Sequence, residues 1–191
     1  MSIQINNETR QFILSLARAS IKHYLAHQEQ LPLPDAIPDA AILQAECGVF
    51  VSLKKSGQLR GCIGTISGQG PLIHSLIQYA IYSAFNDHRF PALIDSELPE
   101  VQIEISILTP AQSVASYHEI QIGQHGMILK KNGRSAVFLP QVAPENQWDL
   151  ATTLTHLAQK AGLQALDWQE GAEFWTFEAI VLAEASASKT P

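Results

Sequence analysis

The sequence predicts an α+β protein, and three observations carry that expectation. Short runs with period-two alternation stand beside longer stretches with the 3.6-residue period of helices. The pentapeptide LKKSG at 53–57 returns as LKKNG at 129–133, each time between two apolar runs. A helix-patterned segment then follows each of these hairpins. The chain is therefore expected to be one domain of two hairpin-plus-helix repeats, at about 7–95 and 96–184, with a disordered tail over 185–191.

In chain order, residues 7 to 26 predict a helix. Asn7 can cap it, Glu8 complements the helix dipole, and Phe12, Ile13, Leu16, Ala17 and Tyr24 share a face. The prolines of LPLPDAIPDA at 31–40 lack donors and fix φ, which makes that stretch an ordered loop. Ser-Gly at 56–57 and Asn-Gly at 132–133 suit tight hairpin turns, since Gly and Asn tolerate positive φ. Pro71 opens a helix whose apolar face is Leu72, Ile73, Leu76, Ile77, Ala80 and Ala84. Val101, Ile103, Ile105 and Ile107 alternate with Gln102, Glu104 and Ser106 as a strand does. A further helix is expected from about Glu145 to Ala161, burying Trp148, Ala151, Leu154, Leu157 and Ala158 and stopping at Gly162. The aromatic and β-branched run at 173–183 predicts a last strand.

Composition narrows the function. Of 191 residues 46% are hydrophobic and 16% charged, enough apolar surface for a core without staples. A formal charge of -6 and the lack of any dense Lys/Arg run argue against nucleic acid as a partner. No apolar run is long enough to cross a membrane. The N-terminal MSIQINNETRQ has neither the basic nor the apolar region of a secretory signal, so the cytoplasm is the expected compartment. Two cysteines, Cys47 and Cys62, make neither a disulfide framework nor a zinc site, and no cofactor or metal is expected.

The segment LRGCIGT at 59–65 is where chemistry could sit. As a regular strand it would set Arg60 and Cys62 on one face, about 7 Å apart. A guanidinium there would favour the thiolate and offer a fork to a carboxylate or phosphate. Gly61 and Gly64 would allow a bulge or a close backbone approach. Against this stands the plainer possibility that Cys62 is a small buried hydrophobe. Asp87 and Arg89, after a helix, could position a substrate, or Asp87 could simply end the helix and Arg89 pair with a carboxylate. His125 could be a base for Cys62, oriented by Glu104, or a turn histidine beside a solvated strand residue. His23 and His27 have a spacing that can bind metal, but with no third ligand nearby they are taken as solvated.

At LRGCIGT the sequence resembles the signature of the AMMECR family, whose bacterial and archaeal members are called AmmeMemoRadiSam system protein A. Matching stretches follow in order: GVFVSLKKSGQLRGCIGT, AFNDHRFPAL, ELPEVQIEISILTP, GQHGMILKKNGRSAVFLPQVAPENQWD and LAQKAGL. The resemblance runs from about residue 9 to 183. One departure is His88, where the family usually has proline between the Asp and the Arg. The resemblance implies two β-rich repeats sharing one largely antiparallel, barrel-like sheet. It implies association with Memo-like and radical-SAM proteins, and no particular reaction. The site is expected among Arg60, Gly61, Cys62, Gly64, Asp87, Arg89, Glu104, His125 and Gln141. Two functions fit: an enzyme acting on a small anionic substrate with Cys62 as nucleophile, or a binding module presenting the same surface to a protein.

Overall fold

The computed structural model describes residues 5–185, so the tail expected over 185–191 lies outside the described residues except for Ala185. The chain divides into two compact units, the second running from Thr109 to Ala179 and the first comprising the rest. The division falls later than the 95/96 boundary suggested by the repeat. The reason is strand β3, Val101–Leu108, which pairs with a strand of the first hairpin.

The first unit contains α1 (Asn7–His27), α2 (Ala41–Gln44), β1 (Val49–Lys55), β2 (Gln58–Thr65), α3 (Leu72–Phe85), a 3-10 helix (Asp95–Glu100), β3 and the last strand β8 (Ala179–Ala183). Its sheet has the order β2-β1-β3-β8, and β1 is antiparallel to both neighbours. Val49, Val51 and Leu53 of β1 and Ile103, Ile105 and Ile107 of β3 are fully buried in one cluster with Ile13, Ala17 and Ile21 of α1 and Leu72, Leu76 and Ala80 of α3. Each large side chain there contributes about 1.5–3 kcal/mol by leaving water. Asn6, one residue before the expected cap, closes the start of α1, its Oδ1 accepting the Thr9 N–H at 2.8 Å. Arg18 fastens the same helix to the segment just after β8 through a two-pronged contact with Glu184 and bonds to the Leu98 and Val101 carbonyls.

The second unit holds β4 (Gln112–Val114), a 3-10 turn (Tyr117–Glu119), β5 (Gly126–Lys131), β6 (Arg134–Phe138), α4 (Val142–Glu145), α5 (Leu150–Lys160) and β7 (Glu173–Phe177). Its sheet has the order β4-β7-β5-β6, with β5 antiparallel to β6 and β7. Met127, Leu129 and Phe174 pack with Leu154, Leu157 and Ala158.

The α+β class and the antiparallel pairing are as expected. The single shared sheet is not: the strands fall into two four-stranded sheets. The expected 173–183 strand accordingly breaks at Glu178, between β7 in one sheet and β8 in the other, where Glu178 exchanges bonds with Thr109. The expected 145–161 helix also breaks. Gln147 takes a left-handed φ of 57°, and a fresh helix starts at Asp149, whose carboxylate accepts the Thr152 N–H at 2.8 Å. Trp148 and Ala151, expected in the core, are half-buried and exposed in turn.

Both hairpin turns have the chemistry their sequences require. Ser56 and Gly57 have φ of 52° and 78°, and Asn132 and Gly133 have 51° and 73°, the doubly positive pattern of a type I′ turn. A Cβ on Gly133 would meet nothing within 4 Å, so only backbone strain opposes one. Gly133→Ala is expected to cost about 1 kcal/mol, read as a lower urea midpoint at unchanged slope.

Candidate functional site

The first hairpin explains where Cys62 points. A two-residue turn at Ser56-Gly57 pairs Lys55 with Gln58 and Lys54 with Leu59. Continued without a break, that register would set Arg60 opposite Leu53 and Cys62 opposite Val51, on the buried face. Instead the register shifts between Leu53 and Lys54, leaving Arg60 as the extra residue of a bulge. Gly61 then lies opposite the buried Leu53, and Cys62 lies opposite Ser52.

This overturns the expectation that Arg60 and Cys62 share a face, because the bulge breaks the alternation on which it depended. Arg60 is 9% exposed and makes a two-pronged contact with Glu97, Nε at 3.2 Å and Nη2 at 2.9 Å. Glu97, in the 3-10 helix before β3, also receives Lys55 at 3.4 Å. The Arg60 guanidinium leads the interactions that hold the Glu97 carboxyl down at about 2. Arg60 thus meets a carboxylate of its own chain.

Cys62 stands in a polar row. Ser52 is its neighbour on β1, and Glu104 is Ser52's neighbour on β3, so the three lie side by side across the sheet. Ser52 Oγ donates to Cys62 Sγ at 3.2 Å, and Lys54 Nζ donates to Glu104 Oε2 at 3.0 Å. With strands about 4.8 Å apart, Cys62 and Glu104 are separated by roughly twice that, with Ser52 lying between them. Cys62 is half-buried, whereas Cys47 lies in the apolar core, where burial pushes its thiol pKa up.

Asp87 and Arg89 clamp the outer edge of β2. The Asp87 carboxylate accepts the Cys62 N–H at 2.9 Å and Arg89 Nε and Nη2 at 2.9 and 2.6 Å. Arg89 Nη2 also donates to the Cys62 carbonyl at 3.2 Å. The Arg89 side chain is the main cause that pulls the Asp87 carboxyl down to about 2. Asp87, by its hydrogen bond, is the main cause that raises the pKa of Arg89, and the charge of a Cys62 thiolate is the smallest. So the guanidinium beside the thiol is Arg89, with Arg60 engaged elsewhere.

The two glycines have steric reasons. A Cβ on Gly61 would come within 2.1 Å of the Ser83 carbonyl oxygen on α3. A Cβ on Gly64 would come within 2.5 Å of the Phe50 ring. Ser83 itself bridges the paired residues Ile63 and Val51, accepting the Ile63 N–H at 3.0 Å and donating to the Val51 carbonyl at 2.7 Å.

His125 and Gln141 belong to the second unit. His125 Nδ1 accepts the Gln121 N–H at 3.2 Å, which makes it a turn histidine and puts the proton of the neutral ring on Nε2. Gln141 is half-buried at the start of α4. Sequence reasoning passed over Ser52, Lys54, Ser83 and Glu97. Ser52 and Lys54 could have been found from the strand alternation of VFVSLKK, had the bulge been known.

The AMMECR1 family model matches residues 14–182, which contain the whole of this polar row and its clamp. The chain belongs to the AMMECR1 family. Protein MK0488 of Methanopyrus kandleri is 38% identical over 195 residues, covering 96% of this chain and 92% of its own length. A Methanothermobacter thermautotrophicus protein is 40% identical over 157 residues, covering 79% of this chain and 81% of its own. The crystal structure of uncharacterized protein PH0010 from Pyrococcus horikoshii matches with a TM-score of 0.87 at 34% identity, covering 93% of this chain and 92% of that one. The AMMECR1 fold of this chain thus has an experimental counterpart. No helix among the described residues is long and apolar enough to cross a membrane.

Proposed function

We propose that this AMMECR1 protein is a thiol-dependent cytoplasmic enzyme acting on a small anionic substrate, with Cys62 as nucleophile and Arg89 as the group that holds the anion. The observation that carries this reading is the hydrogen bond from Ser52 to the Cys62 sulfur, in a polar row outside the apolar core. A donor on sulfur favours the thiolate, which is the attacking form. Arg89 supports the anion role because its side chain is 57% exposed and its Nη1 makes no hydrogen bond among the described residues. Glu104, paired with Lys54, tunes the charge beside Ser52. His125, expected from the sequence as a base, lies in the second unit with its Nδ1 held by the Gln121 N–H, and the proposal does not depend on it. Gly61 and Gly64 shape the strand, and Gln141, in the second unit, is not needed by the proposal. Association with Memo-like and radical-SAM proteins belongs to the same proposal and rests on the family resemblance alone.

A non-catalytic binding module is the second reading. It is favoured by the internal partners of Arg60 and Asp87 and the packing of both glycines, which leave few groups free for chemistry.

Alkylation separates the two. In a Cys47→Ala background, native Cys62 is expected to react with both iodoacetamide and anionic iodoacetate, favouring iodoacetate several-fold more than a free thiol does. Ser52→Ala is expected to slow both reagents, and Arg89→Lys to keep the anion preference that Arg89→Gln loses. Cys62 that stays silent to both reagents until denaturant is added would remove the enzyme and leave the binding module.

A further inference from the structure

We propose that His23 and His27 form a chelating site for one divalent late first-row metal ion of the kind imidazole favours, Ni2+, Cu2+ or Zn2+. The two rings lie one turn apart on α1, with centroids 4.5 Å apart and planes inclined at 44°. Neither ring makes a hydrogen bond or ion pair among the described residues, so their nitrogens are open to a ligand. His27 is exposed and His23 half-buried.

The turn that carries them is closed. Gln28 adopts a left-handed φ of 57°, and its backbone N–H and side-chain amide both donate to the Tyr24 carbonyl, at 2.9 and 3.0 Å. Tyr24, between the two histidines in sequence, packs its ring 4.8 Å from that of Phe85 on α3. A capped and anchored turn presents both imidazoles with little ordering left to do when the ion arrives. The ion also sits by the negative end of the helix dipole, since His27 is in the last turn.

No cluster of three or more His, Cys, Asp or Glu suited to a metal ion occurs among the described residues. The site is therefore an open two-ligand chelate completed by water, unlike a closed four-ligand structural centre. The spacing alone left the pair as solvated residues; the closed turn and the facing rings are what make it a site. Its consequence is mass action: an ion held only by the folded helix raises the stability of the first unit.

The test is calorimetric titration of the untagged chain with Ni2+, which imidazole binds and thiols do not reduce. His23→Ala, His27→Ala and the double variant are titrated beside it. One ion per chain is expected, with affinity lower by roughly a hundredfold in each single variant, as loss of an intramolecular second contact implies. Ni2+ should raise the thermal midpoint of the parent and leave the double variant unmoved, while metal-free circular dichroism is the same for all four. Equal affinity in parent and double variant, no binding at all, or a loss in only one single variant would each overturn the chelate.

Discussion

Gly61→Ala is expected to destabilise the first unit by about 3 kcal/mol or more, among the largest effects of any single methyl group in this chain. The added Cβ would sit 2.1 Å from the Ser83 carbonyl oxygen, and that atom belongs to helix backbone, which cannot swing aside as a side chain can. Relief requires α3 to move off the sheet, and α3 carries Leu72, Leu76 and Ala80 of the buried cluster. It also requires breaking the Ser83 bridge between Ile63 and Val51. The other escape is loss of the bulge, which would turn Cys62 towards the buried face. Urea unfolding followed by circular dichroism measures the first outcome, and protection of Cys62 from alkylation reports the second. A variant within 0.5 kcal/mol of the parent that keeps its alkylation rate would mean that the helix approaches β2 less closely than described.

Asp87→Asn is expected to cost on the order of 2 kcal/mol at neutral pH, with a pH dependence that identifies the cause. The Asp87 carboxyl is held at about 2, below its ordinary 3.8, chiefly by the Arg89 side chain. A depressed folded pKa means the folded state prefers the charged form. The stability it contributes is complete above about pH 4 and is lost as pH falls through about 2. The gap between parent and Asp87→Asn should therefore be constant from neutrality down to about pH 4 and close below it. Glu97 is also held at about 2, by Arg60 first, but it is present in both proteins and cancels in the difference. Urea midpoints across pH 2–7 provide the check. A gap that stays open at pH 2 would mean the cost comes from altered hydrogen-bond geometry, with the charge playing no part.

Local chemistry was readable where it acts over a few residues. The I′ turns followed from Ser-Gly and Asn-Gly, because positive φ is a property of the turn residues themselves. The strand Val101–Leu108 followed from its alternation, and the start of α3 followed from Pro71. The break between α4 and α5 was partly legible, since Asp149 is a good cap, but the apolar spacing continued across it and masked it. The split at Glu178 was not legible at all. β7 and β8 both carry strand-forming residues, aromatic in one and aliphatic in the other, and which sheet a strand joins depends on its partners, Phe174 pairing with Leu129 in one unit and Glu184 bonding to Ile103 in the other.

The candidate site divides in the same way. The sequence by itself determined the α+β class, both hairpins, the family and the segment that holds Cys62, because each is written in residues close together in the chain. Only the tertiary structure decided which way that segment faces. The hairpin turn favours a register that would set Arg60 opposite Leu53 and Cys62 opposite Val51, on the buried face. The approach of Ser83 to within van der Waals contact admits only a glycine there, so the strand bulges by one residue and Gly61 turns inward. Arg60 is thereby released to Glu97, and Cys62 is set beside Ser52 with Asp87 and Arg89 on its backbone. A one-residue slip exchanges the two faces of a strand, and the helix that forces the slip lies more than ten residues away in the sequence.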